Sequence, residues 1–97
     1  MATKTDEIIT ALSRELQRPK EAILEESLQA LLERQLREVK AEILQIAGKH
    51  NIASAEQMEE RYRSGTMDEA GTWQDFQRLD HLEYRRDRLA QLLQELR

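Results

Sequence analysis

Apolar residues recur every three or four positions along most of this chain, which is the spacing of one face of an α-helix. The pattern predicts a short helix over residues 6–16, a long helix over 20–47, a short helix over 55–64 and a long helix from residue 73 to the end. It therefore predicts an all-α fold with coiled-coil-like packing of the long helices.

Residues with strong preferences for helix ends mark the predicted boundaries. Ser54, with Gln57 three residues later, has the form of a capping box, and Thr5 and Thr72 are suited to cap the first and last helices. Pro19 is suited to the first turn of the second helix. Gly48 and Gly65 are predicted to end helices in the left-handed conformation.

The long second helix carries an apolar seam that its neighbour is too short to cover. Residues 20–47 span roughly 42 Å as a helix, whereas residues 6–16 span only about 16 Å. Cover must come from the C-terminal half folding back or from another copy of the chain. We expect a homodimer or higher homo-oligomer formed by apolar side chains of the first two helices: Leu12, Leu16, Ile23, Leu24, Leu28, Leu31 and Leu32.

Composition narrows the function classes. Charged residues make up 35% of the 97 residues and the net charge is −4, which argues against broad electrostatic capture of nucleic acid. No apolar run approaches the roughly 20 residues of a membrane span. There is no cysteine and no apolar leader segment at the N-terminus, so we expect a soluble cytoplasmic protein without a membrane contact.

Residue patterns typical of catalysis or of cofactor binding do not occur. His50 and His81 lie 31 positions apart, without the spacing of a metal pair, and we expect both on the surface. The three glycines are isolated, so no glycine-rich phosphate loop is present. The sequence predicts a protein that is not an enzyme and needs no cofactor or metal.

Residues 9–33, ITALSRELQRPKEAILEESLQALLE, resemble the helix pair of ribbon-helix-helix proteins, small dimeric DNA binders common among antitoxins. The resemblance implies a dimerisation region over residues 1–35, with 36–48 continuing the long helix. Gln17 stands where that family usually has glycine, and the DNA-reading strand is expected to be vestigial or absent. The resemblance assigns possible DNA contacts to Thr3, Lys4, Thr5, Arg18 and Lys20.

Residues 49–65, KHNIASAEQMEERYRSG, followed by TWQDF at 72–76, are similar to a segment of predicted antitoxins encoded beside toxin genes. The similarity implies that residues 49–97 form an arm that binds a ribonuclease-type toxin. Residues 54–97 contain ten acidic and seven basic residues, a balance that suits a basic toxin. The residues expected to bind the toxin are Tyr62, Trp73, Phe76, Leu79, Leu82 and Arg86.

Two alternatives stay open. The aromatic residues equally suit an intramolecular role, packing on Val39, Ile43 and Ile46 of the long helix. At the level of function, the expected antitoxin of a type II toxin–antitoxin system competes with a homo-oligomeric helical scaffold and with a small dimeric transcription regulator.

Overall fold

The computed structural model describes residues 3–97, which form four α-helices and no strand. The helices are α1 (Lys4–Leu16), α2 (Lys20–His50), α3 (Ala55–Ser64) and α4 (Trp73–Leu96). The predicted all-α class is confirmed, with the expected alternation of short and long helices.

Helix α1 begins two residues earlier than predicted. Thr3, rather than Thr5, occupies the N-cap: its hydroxyl accepts a hydrogen bond from the Asp6 backbone N–H at 3.1 Å. The Asp6 carboxylate in turn accepts bonds from the Thr3 backbone N–H and hydroxyl, and these bonds hold the pKa of Asp6 below its ordinary value. This reciprocal capping box satisfies more donors than a cap at Thr5 would.

Helix α2 passes through Gly48, where the sequence predicted its end, and continues to His50. Asn51 instead adopts the left-handed conformation, with φ 52°. The following backbone N–H, of Ile52, donates to the Ala47 carbonyl at 3.0 Å, and the Ile52 side chain is buried in the core. We attribute the position of the helix end to the burial of Ile52. Asn51 permits a turn there because asparagine tolerates the left-handed region.

Helix α3 has the predicted bounds, with the Ser54 hydroxyl accepting from the Gln57 backbone N–H and Gly65 ending the helix at φ 75°. Thr72 precedes α4 as predicted but makes no side-chain capping bond. Its hydroxyl donates to the Asp68 carbonyl, at 2.7 Å, and lies 2.7 Å from the Tyr62 hydroxyl. Thr72 therefore links the loop to α3 instead of capping α4.

Helix α4 folds back antiparallel along α2. Lys49 bonds Asp75 near the start of α4, the guanidinium of Arg78 makes two bonds to the Glu42 carboxylate, and Arg97 at the end of α4 reaches Glu33. The core lies in the seam between these helices and under α3. It consists of Val39, Ile43, Ala47, Ile52, Ala55, Met58, Leu79 and Leu82.

The first part of α2 extends beyond the end of α4. Among the described helices, α1 packs only on α2, and it has no buried residue of its own. Residues 3–97 together form an elongated molecule, 62 Å long and 20–24 Å across. Residues 49–97 therefore do not project as a separate arm, because α4 supplies the second wall of the core. Within residues 3–97, none of the helices combines the length and the apolar character needed to cross a membrane.

Candidate protein-interaction surfaces

The N-terminal helix pair exposes a set of large apolar side chains, here termed the hairpin surface. Its members keep between 39% and 58% of their surface in water. They lie on α1 and on the first third of α2: Ile8, Leu12, Leu16, Leu24, Leu28 and Leu31. Exposed apolar side chains in this number, within 24 consecutive residues, are typical of a surface that is covered by another protein.

Five of the seven residues predicted for dimerisation belong to the hairpin surface. Of the other two, Ile23 is buried within the chain and Leu32 is half-buried. Leu28 and Leu31, together with Leu32, also line an open groove against Leu92 and Leu96 at the end of α4. The hairpin surface thus continues into the cleft between the two long helices.

The residues predicted to contact DNA do not form a strand. Thr3 caps α1, and Lys4 and Thr5 are its first two residues, so their side chains do not alternate across a ribbon. Arg18 is paired with Glu26, and Lys20 opens α2. Met1 and Ala2 lie outside the described residues.

Three aromatic rings meet where α3 and α4 come together. Trp73 and Phe76 stack with ring centroids 5.0 Å apart, and Tyr62 approaches both, at 6.0 Å and 5.8 Å. Tyr62 and Phe76 pack against the core, as the intramolecular alternative expected, but Trp73 remains 43% exposed. The aromatic cluster therefore contacts the core through Tyr62 and Phe76 and is exposed to solvent at Trp73.

A recess opens beside these rings. Its walls are the three aromatic side chains together with Glu59, Glu69 and Arg63. The segment from residue 56 to residue 75, which holds every lining residue except Phe76, contains six carboxylates and two arginines and is therefore acidic. The aromatic residues were predicted from sequence, whereas Glu59 and Glu69 were not.

The comparisons with known proteins place the chain in a family. The model of the Uncharacterized protein MJ0235 family matches residues 1–97. The chain belongs to this family. No curated protein and no solved structure matches it.

In this member of the MJ0235 family, the predicted toxin-binding residues lie in three different places. Leu79 and Leu82 are fully buried in the core, so in this conformation they cannot touch a partner. Arg86 is half-buried, bonds its neighbour Asp87, and lies more than three turns along α4 from Trp73. Only Tyr62, Trp73 and Phe76 come together at one place.

The prediction of a surface histidine was wrong for His50, whose side chain is only 10% exposed. Its Nε2 lies 2.7 Å from the Asp75 carboxylate, which also accepts a hydrogen bond from Lys49 at 2.9 Å. These bonds hold the pKa of Asp75 below its ordinary value. They join the end of α2 to the first turn of α4 and so position the helix that carries Trp73; His81 is exposed as expected.

Proposed function

We propose that this chain is a dimeric antitoxin of a type II toxin–antitoxin system, which binds a ribonuclease-type toxin and blocks access of RNA. The toxin would bind at the rings of Tyr62, Trp73 and Phe76 and the recess beside them, here termed the Trp73 surface. The observation that carries the proposal is the exposure of Trp73 beside two aromatic rings that pack against the core. A tryptophan that keeps 43% of its surface in water, while it stacks on Phe76 and lies close to Tyr62, offers a large apolar contact area to a partner.

The charge around Trp73 supports a basic partner. The segment from residue 56 to residue 75 carries four more carboxylates than arginines. This excess of negative charge equals the net charge of the entire chain, −4. A ribonuclease presents positive charge to RNA, so an acidic ligand of that surface would accelerate association and exclude RNA by occupancy. The resemblance of residues 49–65 and 72–76 to predicted antitoxins points to the same class of partner.

The hairpin surface supports the dimer. Each of its side chains keeps about half its area in water, and covering that area contributes about 1 kcal/mol per residue. The surface lies mainly on α1 and the first third of α2, whereas the Trp73 surface lies where α3 meets α4. One chain would then use two separate surfaces, one for a second copy and one for the toxin.

Co-expression with the small protein encoded by the neighbouring gene tests the proposal. A stoichiometric complex should copurify, and the ribonuclease activity of the partner should be lost in it. Trp73→Ala should weaken the complex at least thirtyfold, roughly 2 kcal/mol, as expected for an aromatic hot spot.

Tyr84→Ala is the matched control, because Tyr84 is an exposed aromatic residue on the same helix but outside the cluster. It should leave the complex unchanged. Circular dichroism of both variants establishes that the fold is retained. Absence of any neutralised partner would remove the antitoxin proposal, and equal effects of the two substitutions would remove the Trp73 surface from it.

The hairpin surface also favours a second candidate, a homo-oligomeric scaffold. A scaffold predicts the same oligomer by light scattering whether or not another protein is present, and no effect of Trp73→Ala. The third possibility, a transcription regulator, has less support, because Lys4 and Thr5 lie in a helix rather than in a DNA-reading strand.

A further inference from the structure

We infer that the recess beside Trp73 receives an arginine side chain of the partner, with the guanidinium held between the aromatic rings and the carboxylates of Glu59 and Glu69. The inference rests on the proposed function, since it names the chemistry that the Trp73 surface recognises. It concerns a single side chain and can be tested without the partner protein.

The recess combines two features that a guanidinium requires. Its base is aromatic: Trp73 and Phe76 are stacked with their planes 28° apart, and Tyr62 stands edge-on to Phe76 at 72°. Tryptophan is the aromatic side chain that attracts a cation most strongly through its ring face. The partial exposure of Trp73 leaves ring surface accessible to a partner.

The second feature is the pair of acidic residues, Glu59 and Glu69, in the lining of the recess. Glu59 comes from α3 and Glu69 from the loop before α4, so they reach the recess from different elements. Within residues 3–97, neither of them forms an ion pair with another side chain. A cation entering the recess would therefore meet carboxylates that are not already neutralised at short range.

Arg63 also lines the recess, and its charge decides how the site behaves. With Glu59 and Glu69 it leaves one net negative charge, which a single incoming cation would balance. Arg63 forms no ion pair with either glutamate, but its positive charge repels an incoming cation, so its removal should strengthen binding. This sign is opposite to the effect expected for removing either glutamate.

The geometry favours arginine over lysine. The guanidinium is planar, weakly hydrated and able to lie on a ring while donating hydrogen bonds in its own plane to a carboxylate. An ammonium group is more strongly hydrated and cannot stack. In a recess lined by aromatic rings and two glutamates, arginine can both stack on a ring and donate hydrogen bonds to a carboxylate.

Trp73 is the only tryptophan of the chain, so its fluorescence reports on the recess directly. The experiment titrates the full-length protein with a blocked tri-arginine peptide at low salt, and with tri-lysine and tri-citrulline peptides of the same length. We expect a saturable change with tri-arginine, a weaker one with tri-lysine and none with tri-citrulline, which is similar in shape but uncharged.

Four variants sharpen the test. Glu59→Gln and Glu69→Gln should each weaken tri-arginine binding by roughly three- to tenfold, the size of a partly exposed charge or cation–π contribution. Arg63→Gln should tighten it by a similar factor. Glu60→Gln, an exposed change on the same helix outside the recess, is the control and should have no more than a small effect.

An equal response to tri-citrulline would overturn the inference, and so would a loss with Glu60→Gln as large as that with Glu69→Gln. Lack of peptide binding would also overturn it, even if a toxin copurified, and the proposed function would then stand on other contacts. If the peptide binds with the predicted variant effects but no toxin is neutralised, arginine binding in the recess would be supported and the proposed antitoxin function refuted.

Discussion

The N-terminal hairpin and the C-terminal part of this molecule are built from similar amphipathic helices, but their apolar faces differ in exposure. Leu79 and Leu82 on α4 have no exposed surface, whereas Leu24 and Leu28 on α2 keep 44% and 50% of theirs. Both pairs belong to seams with helical spacing. The difference arises because α4 ends beside Leu32: on one side of this point α4 covers the seam of α2, whereas on the other side Ile23 is buried but Leu24, Leu28 and Leu31 stay partly exposed.

The comparison shows that a long helix can serve two purposes along its length. Beyond Glu33, α2 is one wall of an intramolecular core, held to α4 by ion pairs at Glu42 and Lys49. Before Glu33, it presents leucines for which the described part of the chain supplies no full cover. A single continuous helix joins the two regions, so in the proposed dimer it would set the direction of the Trp73 surface relative to the second copy.

The largest expected effect comes from removing a core leucine. Leu82→Ala should lower the free energy of unfolding by roughly 2–5 kcal/mol, because Leu82 is fully buried between α2 and α4. The measurement is urea denaturation followed by circular dichroism. Leu44→Ala, at a position on α2 that is 72% exposed, is the control and should change stability by less than about 0.5 kcal/mol. Similar losses in both variants would contradict the assigned core.

A charge in the hairpin surface should weaken self-association while leaving the fold intact. Leu28→Glu should raise the dimer dissociation constant by at least about tenfold, because a carboxylate would have to be desolvated at the interface. Sedimentation velocity over a range of concentrations gives this constant. Leu44→Glu introduces the same charge on the same helix outside the hairpin surface and should leave the dimer unchanged. A wild-type chain that stays monomeric at high concentration would refute the proposed dimer.

A smaller effect is expected from the junction of α2 and α4. Asp75→Asn should cost roughly 1 kcal/mol at neutral pH, because Asp75 is a partly exposed carboxylate bonded to both His50 and Lys49. The pKa of Asp75 is lowered in the fold, so its stabilisation is present above the ordinary value of 3.8 and is lost as the pH falls through the folded-state pKa.

The difference in unfolding free energy between wild type and Asp75→Asn should therefore shrink as the pH is lowered below that value. Urea denaturation at neutral pH and in acid measures it. Asp80→Asn, at an exposed position of the same helix, is the control and should show no such dependence. A penalty that is the same at both pH values would argue against the bonds to His50 and Lys49.

The smallest effect distinguishes the two helix ends at which a residue other than glycine is left-handed. Gln17→Gly should stabilise the hairpin by about 0.5 kcal/mol, because Gln17 adopts φ 52°, which costs a glutamine more than a glycine. Asn51→Gly, at the same φ in the C-terminal part, should bring less, because asparagine tolerates this region. Hydrogen exchange of α1 amides and urea denaturation measure the two changes. An equal gain at both positions would contradict the argument from side-chain type.

The sequence predicted part of each surface. It identified Trp73 and its two aromatic neighbours and all five leucines of the hairpin surface, but not Ile8. It did not identify Glu59 and Glu69. Glu59 precedes Tyr62 and Arg63 by one helical turn, a signal present in the sequence. Glu69 has no such signal, because it reaches the recess from an irregular loop whose path depends on contacts such as the Thr72 bond to Tyr62.

Local sequence determined which segments form helices, since periodicity and helix-end residues act over one or two turns. Four helices with nearly the predicted bounds follow from it. Tertiary structure decided which apolar residues are covered: it buried Ile23, Leu79 and Leu82, left Trp73 open, and moved the end of α2 from Gly48 to Asn51. The physical reason is that burial depends on which helix lies opposite, and a helical repeat specifies a face without specifying its partner.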